Sequence, residues 1–227
     1  MSHNDGLPQT EGFPPILCLT GIDGCGKSTH IRRLGKHFQD RYGILVPQLH
    51  VWEISQNPRF KTHPFISDQT AVHKYLGLLH GGPRALFMFH GLLESLELTR
   101  MANPKLILAN GYWYKYAFTE ALHNTGIDWL LAIASCFPPP KLTVMLDLPP
   151  ESAWKRKPSV TPYECGFQTP GESTFVAFQS RLRNMFLRQA GREGWRIVSA
   201  DRSENDVSNE IVQLVENEVN PDGRSAL

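Results

Sequence analysis

The fold is decided by the stretch Ile16-Leu17-Cys18-Leu19-Thr20-Gly21-Ile22-Asp23-Gly24-Cys25-Gly26-Lys27-Ser28-Thr29. A short apolar run ends in a glycine-rich loop, and the residues that follow have the apolar spacing of a helix. Gly21 to Ser28 fits the phosphate-loop template, in which two glycines five positions apart are followed by Lys and Ser. Such glycines let backbone N–H groups surround phosphate oxygens, and the helix N-terminus adds positive potential.

The residue types in this loop predict a site for a nucleoside triphosphate and Mg²⁺. The Lys27 ammonium would reach the β- and γ-phosphate oxygens, and the Ser28 hydroxyl would be a ligand of Mg²⁺. An ordinary glycine turn is the alternative, which the preceding strand and the following helix disfavour. The predicted phosphate-binding residues are Gly21, Ile22, Asp23, Gly24, Cys25, Gly26, Lys27, Ser28 and Thr29.

Composition limits the class of protein. The 227 residues suit one α/β domain with a small lid, and 41% hydrophobic residues can bury a sizeable core. A net charge of +1 disfavours nucleic acid polymers and anionic membranes as partners. No apolar run approaches the roughly twenty residues of a membrane span. The four cysteines lack metal spacing and favour a reducing compartment, so we expect a cytoplasmic protein.

Apolar strand patterns alternate with helical patterns along the chain, which predicts a parallel sheet with helices on both faces. Strands are predicted over 16–20, 44–51, 106–109, 142–146 and 195–199, and helices over 29–42, 71–79, 84–100, 128–136, 150–156, 174–190 and 205–219. Residues 112–121 fit either a loop or a helix. We expect a flexible leader (1–13), a single domain (14–219) and a flexible tail (220–227). Ligands bind such sheets at the carboxyl ends of the strands, where Gly21, Glu53, Asn110 and Asp147 lie.

Several segments together resemble the thymidylate kinase family of P-loop nucleoside monophosphate kinases. The phosphate loop with its acidic third position, Asp23, is similar to that family's loop. Residues 140–151 resemble its fourth strand and the following turn, and residues 155–157 stand where its lid begins, here about 155–172. Ser199-Ala200-Asp201 is similar to the final strand and the loop that borders the ATP base.

The resemblance implies a three-layer P-loop NTPase fold with five parallel strands, an ATP–Mg²⁺ donor, a nucleoside monophosphate acceptor and a homodimer. It also implies that Asp23 faces the acceptor and that the lid supplies a catalytic arginine. Arg156 is the candidate for this role, with Lys155 and Lys157 as alternates. The alternative interpretation of these three residues is a solvated basic helix end.

The departures from the family concern the acceptor. The family carries an Asp-Arg pair where this chain has Asn110-Gly111, an Arg-Glu pair where it has Trp52-Glu53, and an arginine near residues 89–92, where none stands here. These arginines grip the acceptor phosphate, so the chain is a divergent member. Lys115 is the best-placed replacement cation, with Lys74, Arg84 and Arg59 as others.

We therefore predict an ATP-dependent phosphotransferase that acts on a nucleotide or nucleotide-like acceptor, either dTMP-like or specialised. The predicted acceptor-binding residues are Trp52, Phe87, Asn110, Tyr112 and Lys115, and the predicted catalytic residues are Lys27, Asp23, Arg156 and Glu53. One alternative is a phosphate-free hydroxyl acceptor with Glu53 as the base, although Glu53 could also cap a turn and Phe87 could be a core residue. The other alternative is an ATP-binding pseudokinase that acts as a regulator or scaffold.

Overall fold

The structure is a computed structural model that describes residues 13–63 and 69–219. One parallel sheet of five strands, in the order β2–β3–β1–β4–β5, forms its centre. The strands are β1 (Ile16–Thr20), β2 (Gln48–Leu49), β3 (Ile107–Asn110), β4 (Leu142–Asp147) and β5 (Arg196–Ser199). Every residue of β1 and β3 is buried, as in a sheet that is covered on both faces.

Helices cover both faces of the sheet. The α-helices in the described residues are α1 (Lys27–Tyr42), α2 (Gln69–Leu78), α3 (Gly81–Met101), α4 (Tyr112–Leu122), α5 (Ile127–Ala134), α6 (Pro150–Arg156), α7 (Glu172–Glu193) and α8 (Glu204–Val219). The chain moves outward from β1 to β2 and then back across the sheet to β5. Right-handed crossovers therefore put α1 on one face of the sheet and α3, α4, α5 and α7 on the other. Helix α8, which follows the last strand, contacts α1 and so lies on the same face as α1. This arrangement confirms the predicted P-loop NTPase fold.

The second strand is shorter than the sequence predicts. Only Gln48 and Leu49 of the predicted strand 44–51 pair with β3, and a 3₁₀-helix, Val51–Gln56, follows. Pro47 has no N–H to give to a ladder, although its carbonyl accepts the Leu108 N–H at 3.0 Å. The undecided segment 112–121 is helical, as α4, and a left-handed Gly111 (φ 80°) precedes it.

Predicted lid residues 155–172 lie between α6 and α7. They begin at the end of α6 and include a 3₁₀-helix, Tyr163–Cys165, before α7 starts at Glu172. Phe13, the last residue of the predicted leader, packs against the core beside the Arg100 guanidinium. The rest of the predicted leader and the predicted tail lie outside the described residues.

The two longest helices, α3 and α7, contain 21 and 22 residues. Each buries a row of apolar residues in the core, and α3 also buries Arg84. None of the helices within 13–63 and 69–219 has both the length and the apolarity that are needed to cross a bilayer.

Substituting Ile31→Ala tests how the helix after the phosphate loop is held. Ile31 is fully buried in α1, so its truncation should lower the free energy of unfolding by about 2–5 kcal/mol. Its exposed neighbour provides the control, because Arg32→Ala should change stability by less than about 0.5 kcal/mol. Urea unfolding measures both, and equal losses in the two variants would contradict the packing described here.

Candidate active site

A cavity of about 1100 Å³ opens along the carboxyl ends of the strands, with the phosphate loop at its middle. Ligand pockets usually measure about 300–1,000 Å³, so this cavity is large enough for more than one small ligand. Strands β2 and β5 are at opposite edges of the sheet, so the residues that follow them form opposite ends of the cavity. The β2 end comprises His50, Trp52, His73, Met88 and Tyr116, and the β5 end comprises His30, Ala200, Arg202, Glu204 and Val207.

The phosphate loop brings its predicted residues together around the Lys27 side chain. The Lys27 ammonium donates to the carbonyls of Gly21 (3.0 Å) and Ile22 (2.7 Å). Ser28, at the start of α1, accepts a hydrogen bond from the Asn110 amide at the end of β3 (3.0 Å). Because β1 and β3 are neighbours, the sheet itself sets this last contact.

Asp23 is held by a lysine and a glutamine. The Lys115 ammonium forms an ion pair with Asp23 Oδ2, and Gln179 Nε2 donates to the same oxygen at 3.2 Å. Gln179 Oε1 in turn accepts the Asp23 backbone N–H at 3.0 Å. Burial alone would raise the pKa of Asp23, but Lys115 and Lys27 outweigh it and lower the pKa from 3.8 to about 2. Asp23 is therefore a carboxylate at neutral pH.

Gly111 leaves the space in which the Lys115 side chain lies. Lys115 is one helical turn after Gly111, in α4, and is only 8% exposed. A β-carbon at position 111 would be 3.2 Å from Lys115 Cβ, and the backbone there has a φ of 80°. A side chain at position 111 would be strained and crowded, so the glycine and the lysine form a matched pair.

The β2 end of the cavity carries neutral and aromatic groups. His50 Nδ1 accepts the Trp52 backbone N–H at 3.3 Å, so a neutral His50 carries its proton on Nε2. Burial and the nearby Lys27 charge lower the pKa of His50 to about 4, which keeps the ring neutral at pH 7. Trp52 meets His73 edge to face, with ring centroids 5.1 Å apart.

Three basic residues at the end of α6 have different surroundings. Arg156 donates to the Ala200 carbonyl at 3.0 Å and is 3.7 Å from Asp201, so these two predicted residues meet at the β5 end. Lys157 lies beside the phosphate loop, because a β-carbon at Gly24 would be 3.1 Å from Lys157 Cγ. Lys157 also pairs with Glu164 at 2.9 Å. Lys155 is exposed.

The sequence is similar to known thymidylate kinases over most of its length. A probable thymidylate kinase of Pyrococcus horikoshii is 25% identical over 212 residues, which cover 90% of this chain and 97% of the relative. One of Thermococcus onnurineus is 26% identical over 220 residues, covering 90% and 98%. The thymidylate kinase of Dictyostelium discoideum is 24% identical over 204 residues, covering 89% and 85%. No protein-family model matches the chain.

The chain is thus similar to thymidylate kinases over about 90% of its length. This similarity confirms the resemblance drawn from the sequence and indicates an ATP-dependent phosphotransferase. The loop itself requires its glycines, since a β-carbon would be 2.6 Å from the Leu146 carbonyl oxygen at Gly21 and 2.9 Å from the Ala153 carbonyl oxygen at Gly24. Mg²⁺ is suited to a site with few protein ligands, and the Ser28 hydroxyl oxygen, which accepts a hydrogen bond from the Asn110 amide nitrogen, is one candidate ligand. In residues 13–63 and 69–219, no cluster of three or more His, Cys, Asp or Glu could hold a metal by itself.

Two acceptor residues predicted from the thymidylate kinase resemblance do not line the cavity. Tyr112 is fully buried in the core, where its hydroxyl donates to the Pro138 carbonyl at 2.9 Å, so the structure places it away from the cavity in which an acceptor is expected. Phe87 packs edge to face on Tyr75, with centroids 5.2 Å apart, and is also absent from the lining. The neighbouring Met88 lines the cavity in its place.

Three of the four cations that were predicted as replacements for the family's arginines already have acidic partners. Arg84 forms a buried two-point ion pair with Glu120, at 2.9 and 2.8 Å. Arg59 is largely exposed and is 3.9 Å from Glu94. Lys74 is exposed on α2. Only Lys115 among these four lines the cavity.

For Glu53, the structure describes the position of the backbone but not that of the side chain. Glu53 belongs to the 3₁₀-helix Val51–Gln56, next to Trp52 of the β2 end. Its side chain lies outside the described part of the chain, so its predicted role as a base remains a prediction.

The sequence-based predictions missed two residues of this candidate site. His50 is one of them, and its place directly after a strand that ends at the site could have indicated it. Gln179 is fully buried within the apolar face of α7, between Phe178 and Leu182. A single amide in an apolar stripe could have indicated a buried polar partner such as Asp23.

Lys115→Met should destabilise the protein, because it leaves the Asp23 carboxylate buried without its main cation. Breaking a buried ion pair costs about 3–5 kcal/mol, and we expect the lower end since Gln179 still binds Asp23. The double variant Asp23→Asn/Lys115→Met should recover part of the loss. Urea unfolding at pH 7 provides the comparison, and an unchanged stability of Lys115→Met would contradict the pair.

The dependence of the free energy of unfolding on pH below 4 gives a second check on the ion pair between Asp23 and Lys115. Asp23 has a lower pKa in the folded protein, about 2, than in an unfolded chain, about 3.9. Its contribution to stability is therefore present above pH 4 and is lost as the pH falls toward 2. Asp23→Asn should lose stability less steeply than the wild type in this window, as measured by urea unfolding at several pH values.

Proposed function

We propose that this chain moves the γ-phosphoryl group of ATP to a nucleotide or nucleotide-like acceptor at the β2 end of the cavity. The observation that carries the proposal is the continuity of this cavity. One volume of about 1100 Å³ contains the phosphate loop, the β5 end beside Arg156 and Asp201, and the aromatic β2 end. A phosphotransferase has to hold donor and acceptor next to each other in such a space.

The phosphate loop would hold the donor phosphates. Lys27 can exchange its contacts with the Gly21 and Ile22 carbonyls for phosphate oxygens, which bind an ammonium more strongly. Ser28 and Asn110 would hold Mg²⁺, which neutralises charge on the transferred group when it is bound. The Arg156 guanidinium lies beside the loop after β5, where the base of the donor would bind.

Lys157 is a better candidate than Arg156 for the cation that stabilises the transferring phosphoryl group. It lies against Gly24 of the phosphate loop, whereas Arg156 is bonded to Ala200 and Asp201. The Lys157 ammonium pairs with Glu164, so a bound phosphate would compete with that carboxylate for it. Both residues stay in the proposal, with Lys157 nearer the loop.

The charges near the β2 end favour an acceptor with little negative charge as a second candidate. Lys115 is paired with Asp23, Arg84 is paired with Glu120, and His50 is neutral. An acceptor dianion that used Lys115 or Arg84 would have to compete with the acidic partner of that residue. A nucleoside-like alcohol would not need one, and this supports a hydroxyl acceptor with Glu53 as the base.

The compartment and the assembly state belong to the same proposal. The four cysteines are free, which suits a reducing cytoplasm. A homodimer is proposed from the thymidylate kinase resemblance. Gel filtration coupled to light scattering would decide the assembly state, since a single chain has a mass of 25.7 kDa.

The first test measures ATP consumption with Mg²⁺ against a panel of nucleoside monophosphates, nucleosides and small alcohols. We expect turnover with a pyrimidine nucleotide such as dTMP or with its nucleoside, and Lys27→Ala should reduce it at least about a thousandfold because the phosphates lose their ammonium. The matched control is Lys36→Ala, which alters a lysine in an exposed ion pair on α1. Tight ATP binding without turnover on any acceptor would instead support the pseudokinase.

A second test locates the acceptor at the β2 end. Trp52→Ala removes an aromatic wall of the cavity and should raise the KM for the acceptor about tenfold or more, with a smaller change for ATP. Phe87→Ala provides the comparison, because Phe87 packs on Tyr75 outside the lining and should leave the acceptor KM unchanged. Equal effects in the two variants would contradict this location.

A further inference from the structure

A buried ion pair joins α3 to α4 near the β2 end of the cavity. Arg84 and Glu120 are only 5% and 0% exposed, and the guanidinium donates from Nε and Nη2 to the two carboxylate oxygens. Arg84 Nη1 also donates to the Leu79 carbonyl at 2.9 Å. The pair is thus well hydrogen-bonded and has a fixed geometry.

The lid contacts this pair through two aromatic residues. The Tyr163 hydroxyl donates to Glu120 Oε1 at 2.8 Å, and the Phe167 ring lies 4.5 Å from the Arg84 guanidinium carbon. His123, just after α4, lies between them, with ring centroids 4.8 Å from Tyr163 and 4.5 Å from Phe167. Both lid residues also line the cavity. The same pair therefore anchors the part of the lid that faces the ligands.

The buried ion pair between Arg84 and Glu120 is not expected to add much to the free energy of unfolding. Taking two charges out of water usually costs as much as their attraction returns, and apolar replacements of similar volume are often as stable or more so. Buried charges are a good means of fixing one arrangement, because they accept few partners. Here the arrangement that they fix is the position of Tyr163 and Phe167.

We propose that Arg84 and Glu120 are positioning residues that dock the lid on the acceptor side of the cavity through Tyr163 and Phe167. Neither residue lines the cavity, so each acts through the two aromatic side chains. The kinetic part of this inference rests on the proposed function, since it requires an acceptor at the β2 end. The docking of the lid does not, because it can be observed without turnover.

The test compares three variants. The double variant Arg84→Met/Glu120→Leu replaces the pair with apolar side chains, so that no single charge is left buried. Tyr163→Phe removes only the hydroxyl that reaches Glu120. Tyr114→Phe is the matched control, because Tyr114 is also buried and its hydroxyl donates to a glutamate, Glu193, at 3.1 Å, but it does not line the cavity.

Hydrogen exchange and kinetics are measured on each variant. We expect amide exchange in residues 158–170 to rise about tenfold or more in the double variant, while β1 and β3 stay protected and the melting temperature does not fall. With dTMP or thymidine, whichever the wild type phosphorylates, the acceptor KM should rise about tenfold in Tyr163→Phe and more in the double variant. The KM for ATP should stay within about twofold, and Tyr114→Phe should change neither KM.

The outcomes separate the inference from the proposed function. Unchanged exchange in 158–170 in the double variant would overturn the docking role, and so would exchange that rises equally throughout the sheet. If the KM for the acceptor and the KM for ATP changed equally, the claim that the lid docks on the acceptor side of the cavity would be overturned. If the wild type phosphorylates no acceptor, the proposed function fails, while the exchange result still decides whether the pair docks the lid.

Discussion

The neutralisation of Asp23 is the constraint on which the site depends. A carboxylate in the middle of an anion-binding loop opposes the purpose of that loop unless a cation lies against it. Lys115 supplies the charge from α4, and Gln179 supplies two hydrogen bonds from α7. Gln179 also donates to the Glu164 carbonyl of the lid at 2.9 Å. The loop, two helices of the opposite layer and the lid are therefore fixed relative to one carboxylate.

The same constraint limits the positive charge that Lys115 can offer to a ligand in the cavity. With glycine at position 111, the basic side chain near Asn110 comes from position 115, one helical turn later. From α4 the Lys115 ammonium reaches Asp23 and forms an ion pair with it. Asp23 therefore neutralises the positive charge of Lys115 within the protein. Neutral groups such as His50 and Trp52 face the cavity.

The sequence predicts the sheet, the helices around it and the phosphate loop because these depend on local patterns. Continuous apolar runs identify the buried strands, and two glycines with Lys27 and Ser28 identify the loop.

The side chains that complete the site depend on helix phase and on contacts between distant elements. Phe87 and Met88 differ by about 100° around one helix, and only Met88 reaches the cavity. Arg156 and Lys157 are also neighbours, but α6 ends between them and their side chains lie in different places. The Gln179 contact joins residues 156 positions apart, which no local pattern can indicate.

The brevity of β2 has a consequence for how this enzyme can change over evolutionary time. Its two residues form the edge of the sheet and pair only with β3, so the polypeptide that follows makes few ladder hydrogen bonds. Mutations at cavity-lining positions such as His50, Trp52 and His73 can reshape the β2 end of the cavity without disturbing the strands that carry the phosphate loop. Such a protein can drift from one substrate to another while its energy source stays the same. The edge of the sheet is thus the place where a new specificity can arise at little risk to the fold.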